Sequence, residues 1–136
     1  IKVSETVEKI TNPGLKEVYR VYDSDGHAVA DLITKKEETP DMTKPYRYVD
    51  PEMPWKNRHF EGCSVKKLQV PVIIEGKFVG EKKDIKTLAD YVKQQLSNEI
   101  WEEEQRFENP HKHYLDMSPD YYDMKMSLLH EMREEK

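Results

Sequence analysis

Apolar and polar residues alternate over the first part of the chain with the period of a half-covered strand. IKVSE, residues 1–5, has this pattern, and its abrupt start reads as that of a piece of a longer protein. TNPG, residues 11–14, follows as turn chemistry: Pro13 fixes one backbone angle and Gly14 tolerates positive φ. The β-rich runs Val18 to Tyr22 and Val29 to Ile33 then flank Asp23-Ser24-Asp25-Gly26, which predicts a hairpin over 18–33. A second is expected over 67–79. Its long strand, Lys67 to Ile74, carries an edge or bulge position at Pro71 and turns at Glu75-Gly76 into Lys77 to Val79.

The period changes to that of a helix in the last third. Behind an N-cap at Asp84, Ile85, Leu88, Ala89, Val92, Leu96 and Ile100 recur at helical spacing, predicting an amphipathic helix over about 84–107 that stops near Asn109-Pro110. In Ser118-Pro119-Asp120, Ser118 can accept from a free amide, Pro119 suits the first helical position, and Asp120 favours the positive helix end. A second helix over about 119–133 is expected, with Tyr121, Met124, Leu128 and Met132 as its packing stripe. Lys35 to Cys63 holds Pro40, Pro45, Pro51 and Pro54 and reads as a long ordered loop anchored by Tyr46, Tyr48, Trp55 and Phe60. The expected class is α+β: a small antiparallel sheet with two C-terminal helices. It forms one domain over 1–136, mainly strands in 1–34 and 64–80 and helical over 84–136.

Composition narrows this picture. Hydrophobic and charged residues each make up 36% of the 136 residues, against about 45–50% apolar (glycine included) and about 25% charged in an average domain. The core is therefore thin, or completed by another surface. A net charge of −5 with both signs interspersed gives no basic face for nucleic acid. No apolar run is long enough for a membrane helix, so the expected partners include neither nucleic acid nor membrane, and the expected location is cytoplasmic. The lone Cys63 excludes an internal disulfide and is read as a packed thiol.

Candidate chemistry is sparse. The DSDG turn fails as an EF-hand: with Gly26 at the sixth loop position, the first and twelfth fall on Val21 and Leu32, where calcium needs carboxylates. Lys56, Arg58 and His59 form a cationic cluster that serves either an anionic group such as phosphate or a solvated, domain-docking surface. His111 and His113, two apart, can face one cation on an extended segment, with Asp116 as a third ligand. The helix stop before them and helix start after them read more simply as a helix-to-helix corner. No phosphate loop, GxSxG, HExxH or paired CxxC occurs.

Several segments, in their order, resemble the C-terminal region of bacterial nicotinate phosphoribosyltransferases: KVSETVEKITNPGLKEVYRVYD, ADLI, PWKNRHFEGC, KKLQVPVI and FENPHKHYLDMS, then the helix ending LLHEMR. The resemblance implies a parent enzyme that forms nicotinate mononucleotide and pyrophosphate from nicotinate and phosphoribosyl pyrophosphate. That enzyme hydrolyses ATP, uses magnesium, and is typically a homodimer. It also implies that the catalytic parts, including a phosphorylated histidine, lie in an earlier α/β barrel, so no catalytic residue and no cofactor is expected in this segment. Its expected role is structural, at a domain or subunit interface. The alternative is a free-standing, non-catalytic interaction or ligand-binding module.

Overall fold

The first hairpin is the centre of the molecule, of which the computed structural model describes residues 12–101, 104–109, 111 and 113–134. Strands β1 (Lys16–Tyr22) and β2 (Ala28–Lys35) pair antiparallel, with Arg20 opposite Asp31. The Asp23 carboxylate closes their turn by accepting from the Asp25 and His27 amides at 3.0 and 2.8 Å, and Gly26 takes φ +84°. The strand expected over 1–5 lies outside the described residues.

The turn at Asn12-Pro13-Gly14 packs under the last helix. Gly14 has φ +91°, and a Cβ there would stand 2.5 Å from Met124 Cε, so both the backbone angle and the close approach call for glycine.

The second hairpin differs from expectation. Only β5 (Ser64–Lys67) joins the main sheet, antiparallel to β1. Pro71 has no N–H to continue the pairing, and the chain leaves to form a separate ribbon of β6 (Ile73–Ile74) and β7 (Lys77–Phe78) around the expected Glu75-Gly76 turn. The loop of 35–63 is also more regular than expected: β3 (Tyr46–Tyr48) and β4 (Arg58–Phe60) make a small antiparallel ladder inside it, with the Tyr48 and Phe60 rings stacked at 4.1 Å.

The expected helix-to-helix corner is instead a strand. β8 (Leu115–Met117) runs parallel to β2, giving a mixed sheet in the order β5-β1-β2-β8. Its other side is also taken: Val49 and Met117 exchange backbone hydrogen bonds of 2.8 and 2.9 Å. With a strand on one side and a bridge on the other, this segment is held at the backbone and is not a free connection.

The first helix, α1 (Ile85–Asn98), starts at Asp84 as the sequence predicts; the Asp84 carboxylate accepts from Thr87 N at 2.7 Å. It ends nine residues before the expected stop. There the Gln105 amide donates to the Leu96 and Ile100 carbonyls at 2.7 and 2.9 Å, supplying donors for the exposed end. The second helix, α2 (Pro119–Glu134), begins behind a Ser118 cap whose Oγ accepts from Tyr121 N at 3.1 Å.

Strand alternation divides the core in two. Tyr19, Val21, Ala30 and Leu32 point to one face and gather Phe60, with Tyr48 and Cys63 beside them. The opposite face of β2 carries Ile33, which meets Met117 and the fully buried Tyr121 of α2. On that same face, Arg20, Tyr22 and Asp31 are polar, and polar partners cover them.

Candidate functional site

An aspartate in the middle of a buried strand needs partners, and Asp31 has three sources of them. Arg20, directly across the hairpin, forms a two-pronged pair with it: Nε to Oδ1 at 2.9 Å and Nη2 to Oδ2 at 3.1 Å. His113 Nε2 lies 2.8 Å from Asp31 Oδ2, and its Nδ1 lies 3.1 Å from Glu104 Oε1. The Tyr114 carbonyl accepts from the Asp31 amide at 3.0 Å. Beyond Arg20, Glu99 stands 3.7 Å from the guanidinium and also accepts the Tyr22 hydroxyl.

The charges settle one another. Burial works against the Asp31 carboxylate, but Arg20 and His113 prevail and hold it below the usual carboxylate range. Burial likewise opposes charge on His113, yet Asp31 and Glu104 keep the imidazolium above its ordinary value. Burial, reinforced by Glu99, pushes the Tyr22 hydroxyl up to about 12. These contacts tie Glu99 and Glu104, both beyond α1, to the sheet. Such a network suits fastening.

The histidine pair does not converge on a cation. His113 serves the carboxylates, while the His111 ring lies 5.7 Å from both the Trp101 and Tyr114 rings in an aromatic group. Asp116 sits on β8, near Asp50 and Arg58. Among the described residues, the carboxylates and imidazole that come closest to a cation-holding group are Asp23, Asp25 and His27 in the hairpin turn. The backbone bonds of Asp23 already account for that turn.

Lys56, Arg58 and His59 are also dispersed. Arg58 turns inward, with Nη1 3.5 Å from Asp50 Oδ2, whereas its strand neighbour His59 is exposed beside Glu61 at 3.7 Å. Lys56 is exposed in the preceding turn. Cys63 is half-buried, and its thiol donates to the Glu61 carbonyl at 3.4 Å.

Sequence reading missed Arg20, Tyr22, Asp31, Glu99 and Glu104. A signal for the first pair was present: with the turn fixed at 23–26, antiparallel register sets an arginine against an aspartate on one face. Glu99 and Glu104 carried no such signal, because their meeting with the sheet depends on where α1 ends.

Comparison with known proteins places this geometry in context. Residues 15–125 match the family model described as the nicotinate phosphoribosyltransferase C-terminal domain. The chain is 30% identical over 134 residues to the nicotinate phosphoribosyltransferase of Bacillus subtilis (strain 168), an alignment that takes in 98% of this chain and 27% of the relative. It also resembles the crystal structure of human nicotinic acid phosphoribosyltransferase, with a TM-score of 0.77 and 20% identity over 88% of this chain and 24% of that one. The chain thus spans about a quarter of the length of the relatives it matches. No described helix is long and apolar enough to cross a membrane.

Proposed function

The chain belongs to the nicotinate phosphoribosyltransferase C-terminal domain family, and on that premise we propose that it is the structural and interface domain of such an enzyme. The parent would join nicotinate to the phosphoribosyl group of phosphoribosyl pyrophosphate, releasing pyrophosphate and forming nicotinate mononucleotide for NAD synthesis. ATP and magnesium would serve it elsewhere in the protein, and a cytoplasmic homodimer is the expected form. Displacing pyrophosphate builds positive charge at the anomeric carbon and negative charge on the leaving group, so the reaction needs a cationic, metal-bearing pocket. The described residues offer a fastened charge network instead, and no residue here is assigned a catalytic role.

One observation carries the interface reading. From Val70 to Leu96 the apolar residues face outward: Ile73 is 68% exposed, Phe78 53%, Ile85 87% and Val92 53%, and α1 buries none of its residues. An apolar surface of this extent on a charged domain is ordinarily covered by another protein surface. About three quarters of the relative's length lies outside this chain and supplies the candidate cover.

The test has two parts. The 136 residues are assayed alone with nicotinate, phosphoribosyl pyrophosphate, ATP and magnesium, and no turnover is expected. Hydrogen exchange over 73–96 is then compared between this chain and a parent-length enzyme containing it. Slower exchange in the longer protein is expected; equal exchange, or turnover by the isolated chain at the level of an intact enzyme, would overturn the reading.

A further inference from the structure

One imidazole stands between two carboxylates in this fold. His113 Nε2 lies 2.8 Å from Asp31 Oδ2, and Nδ1 lies 3.1 and 3.3 Å from the two oxygens of Glu104. Both acidic side chains are largely buried, at 11% and 12% exposure. A carboxylate only accepts, so at these distances each needs a proton from the ring. The imidazolium has an N–H for both. The neutral ring has one, and its other nitrogen turns a lone pair toward a carboxylate oxygen.

The two carboxylates are not equally able to leave. Asp31 is fixed on β2 by the pairing with β1 and by the two-pronged contact with Arg20. Glu104 stands on the segment after α1 and can turn into water. Its neighbour Gln105 carries the consequence to the helix, because the Gln105 amide donates to the Leu96 and Ile100 carbonyls. Apart from Gln95, every residue of α1 is exposed, so packing supplies little to hold that end.

We propose that His113 is a proton-operated latch on the end of α1. Charged, it holds Glu104 and keeps Gln105 on the last carbonyls; neutral, it keeps Asp31, releases Glu104, and the last turn of α1 frays. Burial opposes charge on the ring, but Asp31 and Glu104 outweigh it, so the latch opens as pH rises through a value above the ordinary histidine range. The Glu99 contacts with Tyr22 and Arg20 remain as a second tie. Asp50, Glu52, Asp116 and Lys125 border the cavity that His113 also lines. Asp116, pushed up to about 6 by burial and by Asp50, titrates below the latch, and Tyr22, at about 12, above it. Burial lowers the Lys125 ammonium, so the step has to be assigned from the ring of His113 itself. Since Leu88, Val92 and Leu96 of the outward apolar face lie on α1, the latch also sets how that face is presented. This last consequence rests on the interface reading; the latch does not, and its test in the 136-residue chain can fail separately.

The test follows the nitrogen-15 shifts of the His113 ring together with hydrogen-exchange protection of the Glu99 amide, which donates to the Gln95 carbonyl at 2.9 Å. Protection, corrected for the intrinsic rate, is expected to fall at least about tenfold between about pH 6 and about pH 9, in step with the ring. In Glu104→Gln the side-chain amide can accept from the imidazolium or donate to the neutral ring, so protection is expected to stay high at both pH values. His113→Ala is expected to show low protection at both; Glu104→Gln carries the test should that variant fold poorly. Level protection while the wild-type ring titrates, or a step of the same size in Glu104→Gln, would overturn the proposal.

Discussion

His113 stabilises the fold more when it is charged. Its folded-state pKa is raised by Asp31 and Glu104 against the opposing effect of burial, so its contribution is complete below the unfolded value of about 6.5 and is lost as pH rises through the folded value. Asp31 has the opposite sign: its lowered pKa gives stability that is present above the unfolded value and fails as pH falls through the folded one. His113→Ala is therefore expected to cost more stability at about pH 6 than at about pH 9. With 47% of the side chain exposed, screening keeps the difference below about 1 kcal/mol. Urea unfolding at the two pH values measures it, and an equal loss at both would remove the charged His113 from the account. Gly14 makes a separate residue-scale demand. Gly14→Ala meets Met124 Cε at 2.5 Å in a left-handed backbone conformation and is expected to cost about 1–3 kcal/mol, read as a lower urea midpoint. The turn at Gly14 was legible in TNPG. Its approach to Met124, more than a hundred residues away in sequence, was not, because local turn chemistry says nothing about which helix lies above.

Elements announced by their own side chains were legible. Asp84 and Ser118 are the caps the sequence marks, and the DSDG turn fixes β1 against β2. Elements defined by distant partners were misread. β8 has three residues and depends on β2 and Val49 for its hydrogen bonds, so Asn109 to Ser118 looked like a corner between helices. The end of α1 was misplaced for a related reason: helical spacing continues to Ile100, but the Gln105 amide takes over the last carbonyls while Glu99 is drawn to Tyr22 and Arg20. Ser118 shows how a cap acquires a second duty. Its hydroxyl donates to Glu38 Oε2 at 2.8 Å while accepting from Tyr121 N, and Glu38 also accepts from the Tyr46 hydroxyl at 3.1 Å. Ser118→Ala removes the cap and one partner of Glu38 together, and a loss of about 2 kcal/mol is expected. The urea midpoint should fall with little change of slope, because the folded and unfolded states keep the same surfaces.

At the scale of the molecule, the thin core and the outward apolar face describe one arrangement. A composition with hydrophobic and charged residues at 36% each implied a core that is thin or completed by another surface, and the two small buried clusters with an uncovered stretch over 70–96 fit that implication. The location of that stretch was not legible, since an amphipathic helix reads the same whether its apolar side meets its own sheet or a neighbour. The double substitution Leu88→Glu, Val92→Glu separates these cases. In the 136-residue chain both positions are already half-exposed, at 48% and 53%, so stability should change by less than about 0.5 kcal/mol. In a parent-length enzyme the same carboxylates would enter an apolar interface, and a loss of at least about 2 kcal/mol is expected, together with reduced nicotinate-dependent turnover. Paired urea denaturation of the two proteins measures the contrast. Equal small effects in both would mean that the face of α1 stays in solvent in the full enzyme, and the interface role would then have to rest on another surface of the domain.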